Sequence, residues 1–167
     1  MKRIVVIGSG GSGKSTFSSA LGEKLGIQVV HLDKLYWRPG WVETPKDEWV
    51  DIVRRELAKD SWVMDGNFGG TRKMRLQAAD TVIFLDLPRY LCMYRILRRT
   101  LTYRGGQRPD MAEGCHEGFD LEFIMWVWNY PRRSRHNLLD ELRAFPDKKV
   151  IILKNRAEVE RFLCEVV

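Results

Sequence analysis

The sequence predicts an α/β fold of three layers, with a parallel sheet of five strands between two layers of helices. Three observations carry this. Five short apolar runs alternate with amphipathic helical stretches, as in a parallel sheet covered on both faces. The first run, Ile4-Val5-Val6-Ile7, leads straight into a glycine-rich loop and then a helix. Gly8, Asp33, Asp65 and Asp86 all stand at predicted strand ends, so one carboxyl edge gathers a crevice where ligands of such sheets bind. The 167 residues fit a single domain spanning 1–167.

The elements follow in order. Lys2–Ile7 reads as the first strand and Lys14–Leu25 as the first helix, with Phe17, Leu21 and Leu25 at helical spacing. Gln28–Leu32 reads as the second strand, ending at Asp33. Leu35–Val42 reads as an irregular aromatic loop. A helix over 45–59 follows, with Thr44 as N-cap, Pro45 at the first position and Asp47 and Glu48 in the first turn. Ser61–Met64 is the third strand, and a short helix covers 71–78. Thr81–Leu85 is the fourth strand, followed by a helix from Pro88 to Leu101. Gly105, Gly106, Pro109, Gly114 and Gly118 mark 102–118 as a loop. Leu121–Leu142 is helical, and Pro131 is expected to kink or split it. Lys149–Leu153 and Ala157–Val166 complete the chain as strand and helix. Phe119, Phe123, Trp126 and Tyr130 recur at i, i+4, i+7 and i+11, which reads as a core stripe.

The net charge is +6, and it is local. Between Arg89 and Arg108 there are six arginines and no acidic residue. Such a patch suits a polyanion held at one place, either nucleotide phosphate or nucleic acid. The three cysteines are widely spaced and form no C-x-x-C, which argues against a disulfide framework. Cys115-His116 supplies two ligands, too few for a tetrahedral zinc. No run approaches the roughly 18 apolar residues of a membrane span, and the start does not read as a signal peptide. A cytoplasmic location is expected, with no membrane partner. The oligomeric state is not readable.

The chemistry is concentrated in Gly8-Ser9-Gly10-Gly11-Ser12-Gly13-Lys14-Ser15, which fits the G-x-x-x-x-G-K-[ST] phosphate-binding loop. Glycines let backbone N–H groups turn inward around phosphate oxygens, and the helix start adds partial positive charge there. ATP is expected along Gly8 to Thr16. Lys14 is placed to reach the β- and γ-phosphates, and the Ser15 hydroxyl to meet Mg²⁺. Asp86, ending an apolar strand, is the second candidate on the metal. Leu87 and Pro88 follow it, so the paired carboxylates of a dedicated hydrolase are absent there. Asp33 is a candidate to orient and deprotonate an acceptor hydroxyl. Tyr36, Trp37 and Trp41 can stack on an acceptor ring or pack as core. His31 reads as structural.

The loop, His31-Leu32-Asp33-Lys34-Leu35-Tyr36-Trp37, Met64-Asp65-Gly66-Asn67, Phe84-Leu85-Asp86-Leu87-Pro88 and Asn129-Tyr130-Pro131-Arg132-Arg133-Ser134-Arg135 together resemble bacterial DNA topology modulation proteins. These belong to the adenylate-kinase-like class of P-loop proteins. The resemblance implies strand order 2-3-1-4-5, a helical lid over about 95–135, and transfer of the ATP γ-phosphoryl to a small acceptor. It places Asp65-Gly66 facing the acceptor. Asn67-Phe68-Gly69-Gly70 stands where adenylate kinases carry Phe-Pro-Arg, which argues against an AMP-like acceptor and leaves Arg72 as the nearby cation. It gives Arg95 a place on adenine and Arg99 one on phosphate. Arg132, Arg133 and Arg135 resemble the return-helix arginines that close on the transferring group. They cannot all share one helix face, so at least one is expected to be catalytic.

Two functions follow. One is an ATP/Mg²⁺-dependent phosphotransferase acting on a nucleoside, nucleotide or other alcohol. The other is a nucleic-acid-associated regulatory ATPase that holds DNA through 89–108. No DNA-reading motif is present, and the lid explains the arginines, so the kinase is favoured.

Overall fold

The computed structural model describes residues 1–103, 106, 111–116 and 118–166. Arg104, Gly105, Arg108 and Pro109 lie outside the described residues. The main sheet holds β1 (Arg3–Gly8), β2 (Val29–His31), β5 (Trp62–Asp65), β6 (Thr81–Leu85) and β7 (Lys149–Leu153). The spatial order is β2-β5-β1-β6-β7. All four pairings are parallel. Counting only these five strands, the order is second, third, first, fourth, fifth.

Alternation along β1 decides the layers. Val5 and Ile7 face a core shared with Trp49, Val53, Leu76, Tyr130, Leu138 and Leu142. These come from α3 (Lys46–Leu57), α4 (Gly69–Ala78) and α6 (Leu121–Arg143). Ile4 and Val6 face the other side, where Phe17 and Leu21 of α1 (Lys14–Leu25) pack with Val159, Phe162 and Leu163 of α7 (Arg156–Glu165). The remaining long helix, α5 (Arg89–Thr102), packs on α6.

Several local expectations change. The aromatic stretch is not irregular. It forms a short helix, α2 (Leu32–Tyr36), and a small hairpin of β3 (Trp37–Arg38) with β4 (Val42–Glu43). β2 therefore ends at His31, and Asp33 stands in the first turn of α2 rather than at a strand end. Thr44 does not cap α3. It is buried, and its hydroxyl donates to the Tyr36 carbonyl at 2.5 Å, which ties the hairpin down. Pro45 takes the cap position. Helix α6 runs through Pro131 without a break. Proline there removes one backbone donor, but Tyr130 before it and Leu138 and Leu142 after it pack in the core on the sheet, and Val127 packs with Cys92 and Ile96 of α5, which holds both halves. The aromatic stripe is only partly core: Tyr130 is buried, Phe123 half-buried, and Phe119 and Trp126 exposed.

Candidate active site

The loop after β1 adopts the conformations that its glycines permit. Gly11 and Gly13 have φ of 72° and 88°, in the left-handed region. Gly13 is the N-cap of α1 and brings no side chain to the first-turn N–H groups, which stay available to an anion. The Lys14 ammonium donates to the Gly8 and Ser9 carbonyls at 3.0 and 2.9 Å and so spans the loop. The hydroxyls of Ser9 and Ser12 are buried with no protein hydrogen-bond partner. An anionic ligand with several acceptor oxygens fits this donor-rich cradle.

Lys14 lies among charges from three further segments. Burial pulls its pKa below 10.5, the fields of Asp33 and Asp65 oppose that, and Arg99 adds to the lowering. Two predicted acceptor-side carboxylates and one predicted lid arginine are thus brought to the loop lysine. Asp65 is 2 % exposed, and His31 Nδ1–H donates to its Oδ2 at 2.8 Å. The two residues are register partners across β2 and β5. The other His31 nitrogen lies 3.5 Å from Ser19 Oγ.

The loop carrying Asp65-Gly66 is fixed by two residues to which the sequence reading gave no role. Asn67 Nδ2 donates to the Gly8 carbonyl at 2.8 Å, and the Gly8 N–H returns to Asn67 Oδ1 at 3.4 Å. Arg75, fully buried on α4, donates to the carbonyls of Gly66, Asn67 and Phe68, each at 2.9 Å. Burial lowers its pKa to about 9, so it remains a cation at neutral pH. No sequence signal marked it: that Thr71 and Arg75, four apart, both face inward on α4 shows only in the fold, where a buried arginine needs carbonyl partners.

The residues expected on the lid divide. Arg95 Nη1 donates to the Ser12 carbonyl at 3.1 Å, directly on the loop. Arg135 is bound to Asp86 by two charge-assisted bonds of 2.8 and 2.7 Å, from Nε and Nη2. That hydrogen-bonded pairing raises the Arg135 pKa. The two residues line a cavity of about 350 Å³ with Ser9, Pro88 and Tyr130. Burial pushes the Tyr130 phenol up. Asp86 is therefore engaged with α6. Arg132 and Arg133 are exposed. Arg72 is joined to Glu141 on α6 at 2.6 Å. Tyr36 packs among Trp37, Trp49 and Phe68, and Trp37 contacts Trp41, so these rings form one cluster. No group of three or more metal-ligating His, Cys, Asp or Glu side chains occurs among the described residues.

The loop is roofed by helices. A Cβ on Gly10 would lie 2.6 Å from Phe123 and 2.8 Å from Val127, and one on Gly11 would lie 2.3 Å from the Cys92 carbonyl oxygen. Contact this close leaves room for glycine alone.

No family model and no curated protein matches the chain. Solved structures do. A shikimate kinase from Bacteroides thetaiotaomicron superposes with a TM-score of 0.58 at 14 % identity, covering 98 % of this chain and 94 % of that one. A shikimate kinase from Acinetobacter baumannii, in complex with shikimate, gives 0.63 at 15 %, covering 99 % and 90 %. A sugar kinase from Janibacter gives 0.50 at 18 %, covering 98 % and 93 %. The chain has the fold of the P-loop kinases. At these identities the likeness speaks to architecture.

Proposed function

We propose that the chain is an ATP-dependent phosphotransferase that moves the γ-phosphoryl group to a hydroxyl of a small acceptor. The observation that carries this is the cluster at Lys14: a phosphate cradle whose lysine feels the charges of Asp33, Asp65 and Arg99, with Arg95 bonded to the Ser12 carbonyl of the same loop. A hydrolase needs only a water at that point. Two carboxylates and a ring of aromatic side chains on the acceptor side supply what an organic alcohol needs.

In this reading the N–H groups of Gly8 to Thr16 and the Lys14 ammonium hold the triphosphate. Arg99 lies over it and offsets the charge that spreads across the transferring oxygens, while Arg95, bonded to the Ser12 carbonyl, is kept for the adenine. Asp33 orients the acceptor hydroxyl and takes its proton. His31 fixes Asp65 through the 2.8 Å bond, leaving one carboxylate oxygen to the site. Arg75 and Asn67 hold the Asp65–Phe68 backbone against the phosphate loop. Mg²⁺, when bound, supplies charge neutralisation between the phosphates. The hard oxygen donors of Ser15 and Asp86 would suit it, and one or two carboxylates suffice because phosphate and water complete the shell. Asp86 also holds Arg135, and through it α6. Arg135 would reach phosphate only by leaving Asp86.

Kinship with DNA topology modulation proteins rests on the motifs alone, and the DNA-holding alternative gains no support from the neighbours. The described arginines of 89–108 also argue against it. Arg95 is bonded to the loop, Arg99 acts on Lys14, and Arg89 lies over the rings of Tyr90 and Trp128. A screen of alcohols, nucleosides and sugars for stimulated ADP release from MgATP tests the proposal. Stimulation by one small hydroxyl compound supports it; stimulation by DNA alone overturns it.

A further inference from the structure

The outer face of the lid helices carries an apolar surface that the catalytic reading does not use. On α5, Tyr90, Tyr94, Leu97 and Leu101 recur at i, i+4, i+7 and i+11, and all are exposed, from 44 to 75 %. On α6, Leu121, Met125 and Trp128 repeat the same spacing at 38 to 61 %. The two stripes form one face. Tyr90 meets Trp128 with ring centroids 5.7 Å apart, and Arg99 lies over Phe123 at the other end, so the helices run antiparallel. Tyr94 then stands level with Met125, and Leu101 with Leu121. A groove of about 480 Å³ between Tyr94 and Leu101 opens on this face.

We infer that this face is covered by the same face of a second copy of the chain, in a two-fold dimer that assembles a four-helix bundle. Size is the first argument. The seven side chains offer on the order of 700 Å² of surface, which exceeds a typical monomer patch and approaches the roughly 800 Å² per partner of a standard interface. Shape is the second. A two-fold axis crossing α5 near Leu97 sets each Tyr94 against the partner's Leu101 end, so that the protruding ring meets the groove it also lines. The inference does not depend on the proposed activity.

Sedimentation equilibrium of the full chain over a wide concentration range tests it. A species of twice the 19.5 kDa chain mass is expected. Tyr94→Glu and Leu101→Glu change well-exposed positions and should fold, as far-UV circular dichroism would verify. Each should raise the dimer dissociation constant at least about tenfold. If one variant fails to fold, the other decides. A monomer at every concentration overturns the inference, and so does a dimer unaffected by the folded variants. So does a wild-type monomer that instead sediments with anionic lipid vesicles.

Discussion

Lys14 is the residue on which the proposed chemistry turns, and its surroundings yield two predictions. Lys14→Ala removes the cation that spans the Gly8 and Ser9 carbonyls. Turnover is expected to vanish while the fold survives, because the glycine conformations and the roof of α5 and α6 do not depend on the ammonium. Full turnover in a folded variant would contradict the phosphate-loop assignment. The second concerns pH. Burial holds the Lys14 pKa below 10.5. The cation needed by phosphate is thus lost at lower pH than for an exposed lysine. Nucleotide affinity should be complete below the Lys14 pKa and fall as pH rises through it, before 10.5 is reached. The folded chain also holds this proton less tightly than the unfolded chain, so the group opposes folding at neutral pH and that cost fades as pH rises. Titration of a fluorescent nucleotide against pH checks the binding arm. Arg75 gives a structural counterpart. Arg75→Met strips three buried carbonyls of their donor and should cost about 2–4 kcal/mol, a melting-temperature fall on the order of 10 °C. Part of this residue-level picture was legible: the loop and the carboxylates Asp33 and Asp65 followed from motif and predicted strand ends, while the role given to Arg95 came only from the family resemblance. Arg75 was not, because a buried arginine is visible only once its carbonyl partners are placed. Nor was the Asp86–Arg135 bond, which joins residues 49 positions apart.

At the level of elements, the five strands could be read because each is a short apolar run with a polar or glycine residue at its end, whereas their order came from the family resemblance. The stretch 32–43 could not. Its helix and hairpin are held by tertiary contacts, such as Thr44 on Tyr36 and Cys115 Sγ on the Arg38 carbonyl, that no local pattern announces. Pro131 misled for the same reason: packing on both sides outweighs one lost backbone bond. Two glycines separate backbone strain from contact between elements. Gly26 closes α1 at φ 64° with nothing near its missing Cβ, whereas Gly11, at φ 72°, faces the Cys92 carbonyl on α5. Gly26→Ala should cost roughly 1–2 kcal/mol and leave nucleotide binding intact. Gly11→Ala adds a 2.3 Å clash that must push α5 off the loop, so it should abolish binding as well as lower stability. Thermal denaturation and nucleotide titration of the two variants check this.

In the molecule as a whole, the sheet brings the glycine loop and Asp65 to one edge, with Asp33 on the short helix after β2, under two helices of which α5 brings Arg95 to the loop and Arg99 to act on Lys14. Nucleotide should tighten that roof. Hydrogen exchange over 95–103 and 118–135 is expected to slow when a non-hydrolysable ATP analogue and Mg²⁺ bind; protection confined to the phosphate loop would contradict the lid role of α5 and α6. The central claim is the transfer itself, and its most direct test is the fate of the γ-phosphoryl group. ATP labelled at that position should pass the label to a small hydroxyl compound found in the acceptor screen, forming a phosphate ester, with little inorganic phosphate and none of either with Lys14→Ala. Label released only as inorganic phosphate, whatever acceptor is present, would contradict the account.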